Sequence, residues 1–149
     1  MVEPGDADVL VAAGYLHDIG YAPALVDIGF HPLDGARYLR SVGQDRLAGL
    51  VAHHSASRFE ASARGLEGLL ATYPPDNPEL ADALTYCDLT TGPDGADVSV
   101  EDRAADVIDR YGLDHDVSRS IRAAMPTLIA AVRRTEQLIQ ASPPRILSD

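Results

Sequence analysis

His17 and Asp18 stand side by side, His31 follows, then the pair His53-His54, then Asp88. Four of the five histidines lie within the 38 residues from His17 to His54, each where a helix is expected to begin or end. Imidazole nitrogens and carboxylate oxygens together make the mixed ligand set that suits Mn, Fe, Co, Ni or Zn. Taken singly, each histidine reads as a core or capping imidazole bonded to backbone, and a lone His-Asp dipeptide carries little weight. The joint pattern carries more. Adjacent His and Asp offer one long nitrogen ligand and one short oxygen ligand. Asp88 comes from a helix that can run antiparallel to theirs, and a metal would satisfy acidic groups at a core margin.

The elements that must position these side chains are helical nearly throughout. Val9, Ala12, Leu16 and Ile19 form an apolar stripe with Gly20 as its stop, which puts His17 and Asp18 in the last turn, and Asp6 and Asp8 suit the N-terminus. Pro32 sits where a helix starts, with His31 just before it and Gly43 closing the segment. Leu47, Leu50, Val51 and His54 repeat at helical spacing, so His54 continues the buried face and His53 lies about 100° round. Ser57 to Tyr73 is loosened by Gly65 and Gly68, and predicts a short helix or a mobile flap. Asn77-Pro78 caps the next helix, whose stripe is Leu80, Ala83, Leu84 and Cys87 with Asp88 at its margin. Ser99 with Asp102 begins another helix, stopped by Gly112. A last helix runs from about 117 to 141, with Pro126 expected to kink it, His115 at the surface near its start, and a frayed tail from Ser142. The prediction is a single all-α domain over 1–149, a bundle of six or seven helices.

Composition bounds the function. All twelve basic residues are arginine, which excludes a Schiff-base lysine, a P-loop lysine and a lysine general base. A formal net charge of −11 argues against a nucleic acid polymer as partner. It does not exclude a small phosphorylated ligand, because a bound cation reverses the local charge. One cysteine suits a reducing compartment, and no apolar run approaches the ~20 residues of a membrane span. The expectation is a soluble cytoplasmic protein that does not engage a membrane.

Leu16-His17-Asp18-Ile19-Gly20, with an apolar run before it, resembles the central motif of the HD superfamily of metal-dependent phosphohydrolases. Asp88, about seventy residues on, is placed like that family's last metal ligand, and His31-Pro32 and His53-His54 resemble the extra histidines of members that hold two metals. The resemblance covers roughly Val9 to Tyr111, with the C-terminal helix outside it. It implies an HD-like all-α fold, one or two divalent transition metal ions, and hydrolysis of a small phosphorylated metabolite or nucleotide by metal-activated water. His17, Asp18 and Asp88 would hold the first ion. His31 with His53 or His54 would hold the second, the remaining histidine of the pair being free to orient phosphate or protonate the leaving group. Asp18 and His54 are the residues it marks as catalytic. Arg37 and Arg58 are near enough in sequence to serve as phosphate clamps, with surface ion pairs as the plainer reading.

The sequence departs from that pattern in two places. HD proteins normally carry another histidine ligand on a helix before the His-Asp helix, yet sixteen residues precede His17 and none is histidine. Either coding sequence continues upstream, or one ligand and part of a core wall are missing; apolar surface left bare would then favour a homodimer. Tyr21 stands where many cyclic-dinucleotide phosphodiesterases have lysine, and Ser55-Ala56-Ser57 lacks their glycine–tyrosine–proline signature. Two other readings compete with the hydrolase: a degenerate HD fold that binds a ligand or partner without catalysis, and a di-iron oxygenase.

Overall fold

A computed structural model describes residues 5–142. Among these residues there are eight α-helices: α1 (Asp6–Leu16), α2 (His31–Ser41), α3 (Asp45–His53), α4 (Arg58–Ala63), α5 (Glu67–Leu70), α6 (Pro78–Thr90), α7 (Val100–Tyr111) and α8 (Asp116–Ala141). Short 3₁₀ turns follow α1 (Ile19–Tyr21) and α3 (His54–Ala56). No strand forms among the described residues beyond an isolated antiparallel bridge between Thr91 and Asp97. The fold is all-α, as the periodicity predicts. The frayed tail expected after Ser142 lies outside the described residues.

Local signals explain most helix ends. Asn77 accepts a hydrogen bond from the Glu79 amide at 2.9 Å, and Ser99 accepts one from the Asp102 amide at 3.0 Å, each satisfying an orphan donor of the first turn. His115 does the same for α8 through Nδ1, at 3.2 Å from the Val117 amide. Gly43 and Gly112 take the left-handed conformation that ends α2 and α7. α8 continues across Pro126 as one helix.

Four expectations need correction. α1 stops at Leu16, so His17 is its cap and Asp18 lies in the turn beyond. The apolar stripe runs on to Ile19, but the chain turns after His17 and lays Ile19–Tyr21 against α2 as a 3₁₀ turn. Gly20 is therefore not a helix stop: a Cβ at this position would sit 2.0 Å from the His31 carbonyl oxygen and 2.7 Å from the Gly35 amide nitrogen. Of the two readings of Ser57 to Tyr73, the helical one holds. The segment forms two short helices that bury Ala61, Leu70 and Tyr73 in the core, raising the helix number above six or seven. Cys87 is exposed, and the buried line along α6 is Leu80, Leu84, Thr85 and Leu89.

The core has three parts. Phe30, Leu33, Leu39, Val51 and Tyr73 fill the space between α2, α3 and the α4–α5 segment. Ala13, Leu50, Leu80 and Leu84 join α1, α3 and α6. Leu89, Val100, Ala124, Leu128 and Val132 join α6, α7 and α8. Two buried carboxylates fix the joints. Asp6 is fully buried and pairs with Arg46, which also holds Asp76 at 2.7 Å, tying the start of α1 to α3 and to the chain before α6. Asp34 accepts the amides of Ile28 and Gly29 at 3.1 and 3.0 Å, holding the loop that leads into His31.

The backbone contact at Gly20 yields a direct expectation. Gly20→Ala must push the His17–Tyr21 turn off α2, at a cost of about 1–3 kcal/mol or more for overpacking against rigid backbone. Chemical denaturation will show it as a lowered midpoint. An unchanged midpoint would refute the close approach.

Candidate metal centre

The ends of four elements converge where the three parts of the core meet. The cap of α1 supplies His17, the following turn Asp18, the first residue of α2 His31, the turn after α3 His54, and the last part of α6 Asp88. His54 leaves the helix with an extended backbone yet stays buried. The next two residues, Ser55 and Ala56, both have positive φ, at 47° and 56°. Two successive non-glycine residues in that region cost about 1–2 kcal/mol each and recur where a site constrains the chain. Here the bend carries the Ser55 hydroxyl onto Asp88, to which it donates a short hydrogen bond.

Asp18 lies between two groups of donors. Its Oδ2 is 3.4 Å from His17 Nε2, which is itself 3.5 Å from Asp88 Oδ1. Its Oδ1 is 3.3 Å from His31 Nε2 and 3.9 Å from His54 Nε2, and those two nitrogens are 3.3 Å apart. Donor atoms around a tetrahedral ion with bonds of ~2.0–2.1 Å stand about 3.3 Å from one another. The set Asp18, His31 and His54 thus has the spacing of a metal site, its ligand atoms all lying within 4.8 Å of one another. His17 and Asp88 adjoin it through the other oxygen of Asp18.

The tautomers agree with this use. His17 Nδ1 donates to the Gly14 carbonyl at 2.8 Å, and His54 Nδ1 donates to the Val51 carbonyl at 2.6 Å. A proton on Nδ1 leaves the Nε2 lone pair of a neutral ring facing the cluster, the arrangement that orients metal-binding imidazoles. Burial, with His31 close by, lowers His54 to about 4, so this ring is neutral at physiological pH. Burial alone would lower His17 too, but the Asp88 carboxylate and then Asp18 outweigh it and raise the imidazole to about 9. Burial likewise opposes ionisation of Asp88, yet hydrogen bonds from His17 and Ser55 hold it well below the usual carboxylate range. Asp18 is lowered in the same sense, chiefly by His31 and His17 against its burial. His17 thus faces both carboxylates, Asp18 and Asp88, in the form that favours their ionisation.

The remaining candidates separate. His53 turns away: its Nε2 is 2.7 Å from the Tyr73 carbonyl oxygen, on the α5 side. Of the pair, His54 joins the cluster and His53 ties the α4–α5 segment to α3. Arg37 pairs with Asp27 and with the Leu25 carbonyl, and Arg58 lies on Phe59 and near Thr127; neither borders the cavity beside the cluster.

The arginine at the site is one the sequence did not single out. Arg103, on α7, brings Nη2 to 4.0 Å from Asp88 and keeps a buried Nε without a hydrogen-bond partner. No local signal marks it, because the docking of α7 on α6 alone brings it there. Tyr21 also meets the site: its ring stacks on His31 at 4.0 Å. All of these border a cavity of about 430 Å³ that opens between the cluster, α7 and α8.

Two outcomes are expected. Ser55→Ala keeps the same backbone demand but frees Asp88, and should weaken Zn²⁺ binding by about 10–100-fold in chelator competition; unchanged affinity would remove Asp88 from the ligand set. A metal must also displace the His17 proton. Apparent Zn²⁺ affinity should therefore rise about tenfold per pH unit between roughly pH 7 and 9 and level off above, where the ring is already neutral. Calorimetry in buffers of differing ionisation heat reads the released proton, and His17→Gln should abolish it.

The family model of the HD domain matches residues 2–114 of the chain. Nothing among curated proteins or solved structures matches it.

Proposed function

The chain belongs to the HD-domain family, and from that premise we propose that it is a metal-dependent phosphohydrolase acting on a small phosphorylated compound. The observation that carries this reading is the position of Asp18, with one oxygen facing His17 and the other facing His31 and His54. Two ions would be held by these residues, one by His17, Asp18 and Asp88, the other by Asp18, His31 and His54. The nitrogen and oxygen donors suit Mn, Fe, Co, Ni or Zn. Divalent ions held there lower the pKa of water and draw charge from a phosphoryl oxygen.

The protein's own groups do the rest. His17 and His54 present fixed Nε2 atoms, because their Nδ1 protons are committed to backbone carbonyls. The Arg103 guanidinium borders the same cavity and can pair with a non-bridging phosphoryl oxygen, a charge-assisted contact that orients the group for in-line attack. The water oxygen forms the new P–O bond as the ester P–O bond breaks. The proton lost by the water ends on the departing alkoxide, and the products are an alcohol and inorganic phosphate.

Asp18→Ala tests the reading. Losing a shared ligand should reduce bound metal and cut phosphoester turnover by more than the ~100-fold that an outer-shell partner costs. Elemental analysis and assays with Mn²⁺ under nitrogen check both at once. Full metal content and activity in the variant would overturn the assignment, and turnover that requires O₂ would favour oxygenation instead.

A further inference from the structure

The cavity beside the cluster has two unlike ends. One carries the metal donors and Arg103. The other is a wall from α4, α7 and α8 formed by Phe59, Val107, Ile121, Ala124 and Leu128. The polar side chains on this lining are mostly committed already. Ser55 donates to Asp88, and Ser57 donates to the Ala52 carbonyl. Arg110 donates to Asp106 at 2.9 Å, and Glu60 accepts from Arg64 at 2.6 Å. Two buried polar atoms on the lining have no partner: Arg103 Nε, near the donors, and Ser120 Oγ, within the apolar wall. Buried polar groups are almost always satisfied, so on this lining each is open to a partner from the cavity.

We infer that the substrate is a phosphate monoester of a compact, largely apolar alcohol, its phosphoryl group at the Asp18 and Arg103 end and its body between α7 and α8. One hydrogen-bonding group on that body meets Ser120. The inference rests on the hydrolase reading above and adds its substrate class. A nucleoside or a sugar brings several donors and acceptors, and the stretch formed by Phe59, Val107, Ile121, Ala124 and Leu128 offers them only Ser120. A single ring or short branched chain matches both the wall and the volume, which is near the lower end for small-molecule sites.

The test compares ligands on the metal-loaded protein. Benzyl phosphate and glycerol 2-phosphate are both alkyl esters, so a difference between them reports mainly on the body of the alcohol. Benzylphosphonate and methylphosphonate report binding without turnover. The expected result is a kcat/KM at least about tenfold higher for benzyl phosphate, with benzylphosphonate binding at least about tenfold tighter than methylphosphonate. Val107→Phe, which fills the wall, should abolish the binding difference while retaining its metal. At least one hydroxybenzylphosphonate isomer should gain affinity over the parent and lose that gain in Ser120→Ala. Turnover of glycerol 2-phosphate equal to or faster than benzyl phosphate would overturn the inference and leave the hydrolase reading standing. Tight, Val107-dependent phosphonate binding with no turnover of any ester would uphold the apolar seat and overturn hydrolysis. Equal phosphonate affinities without turnover would overturn both.

Discussion

The turn from His17 to Tyr21 must lie flat against the first turn of α2. Backbone meets backbone there, at Gly20 against His31 and Gly35, and no side chain fits between. That contact sets the distance from Asp18 to His31, and through it the spacing of the whole donor set. It also explains why α1 ends where it does. A further turn of helix would carry Asp18 round the axis and away from His31 and His54.

Around this contact the protein resolves an electrostatic conflict. Acidic and basic side chains are gathered at the margin of an apolar core, where each alone would be costly. His54 meets the cost by staying neutral, and Asp88 by hydrogen bonds from His17 and Ser55. The left-handed pair Ser55–Ala56 belongs to the same solution, since backbone strain is the cost of bringing a hydroxyl to Asp88. In this way the chain carries a preformed donor set in which His17 faces both carboxylates.

Much of the site was legible because it rests on local rules. Asn77, Ser99, Gly43 and Gly112 mark helix ends by chemistry that acts within a few residues, and the structure uses each in that way. The spacing of Leu47, Leu50, Val51 and His54 placed His54 inward even though the helix stops one residue before it. What failed to show depended on packing between elements. Cys87 fits the stripe of α6 by periodicity, but that helix passes from one part of the core to another, and Leu89 takes the buried place. The segment after Ser57 has weak helical propensity and is held instead by burial of Ala61, Leu70 and Tyr73. Arg103 came to the site only through the docking of α7.

The five clustered side chains come from four separate stretches between His17 and Asp88, and only His17 and Asp18 are neighbours in sequence. Apart from that pair, the donors are strangers in the extended chain and become neighbours only after four elements have docked. During synthesis, His17, Asp18, His31 and His54 all emerge before Asp88. The nascent protein thus passes through a stage in which one lobe of the centre has all its donors and the other lacks its last. The order of the ligands along the chain gives the two lobes different birthdays.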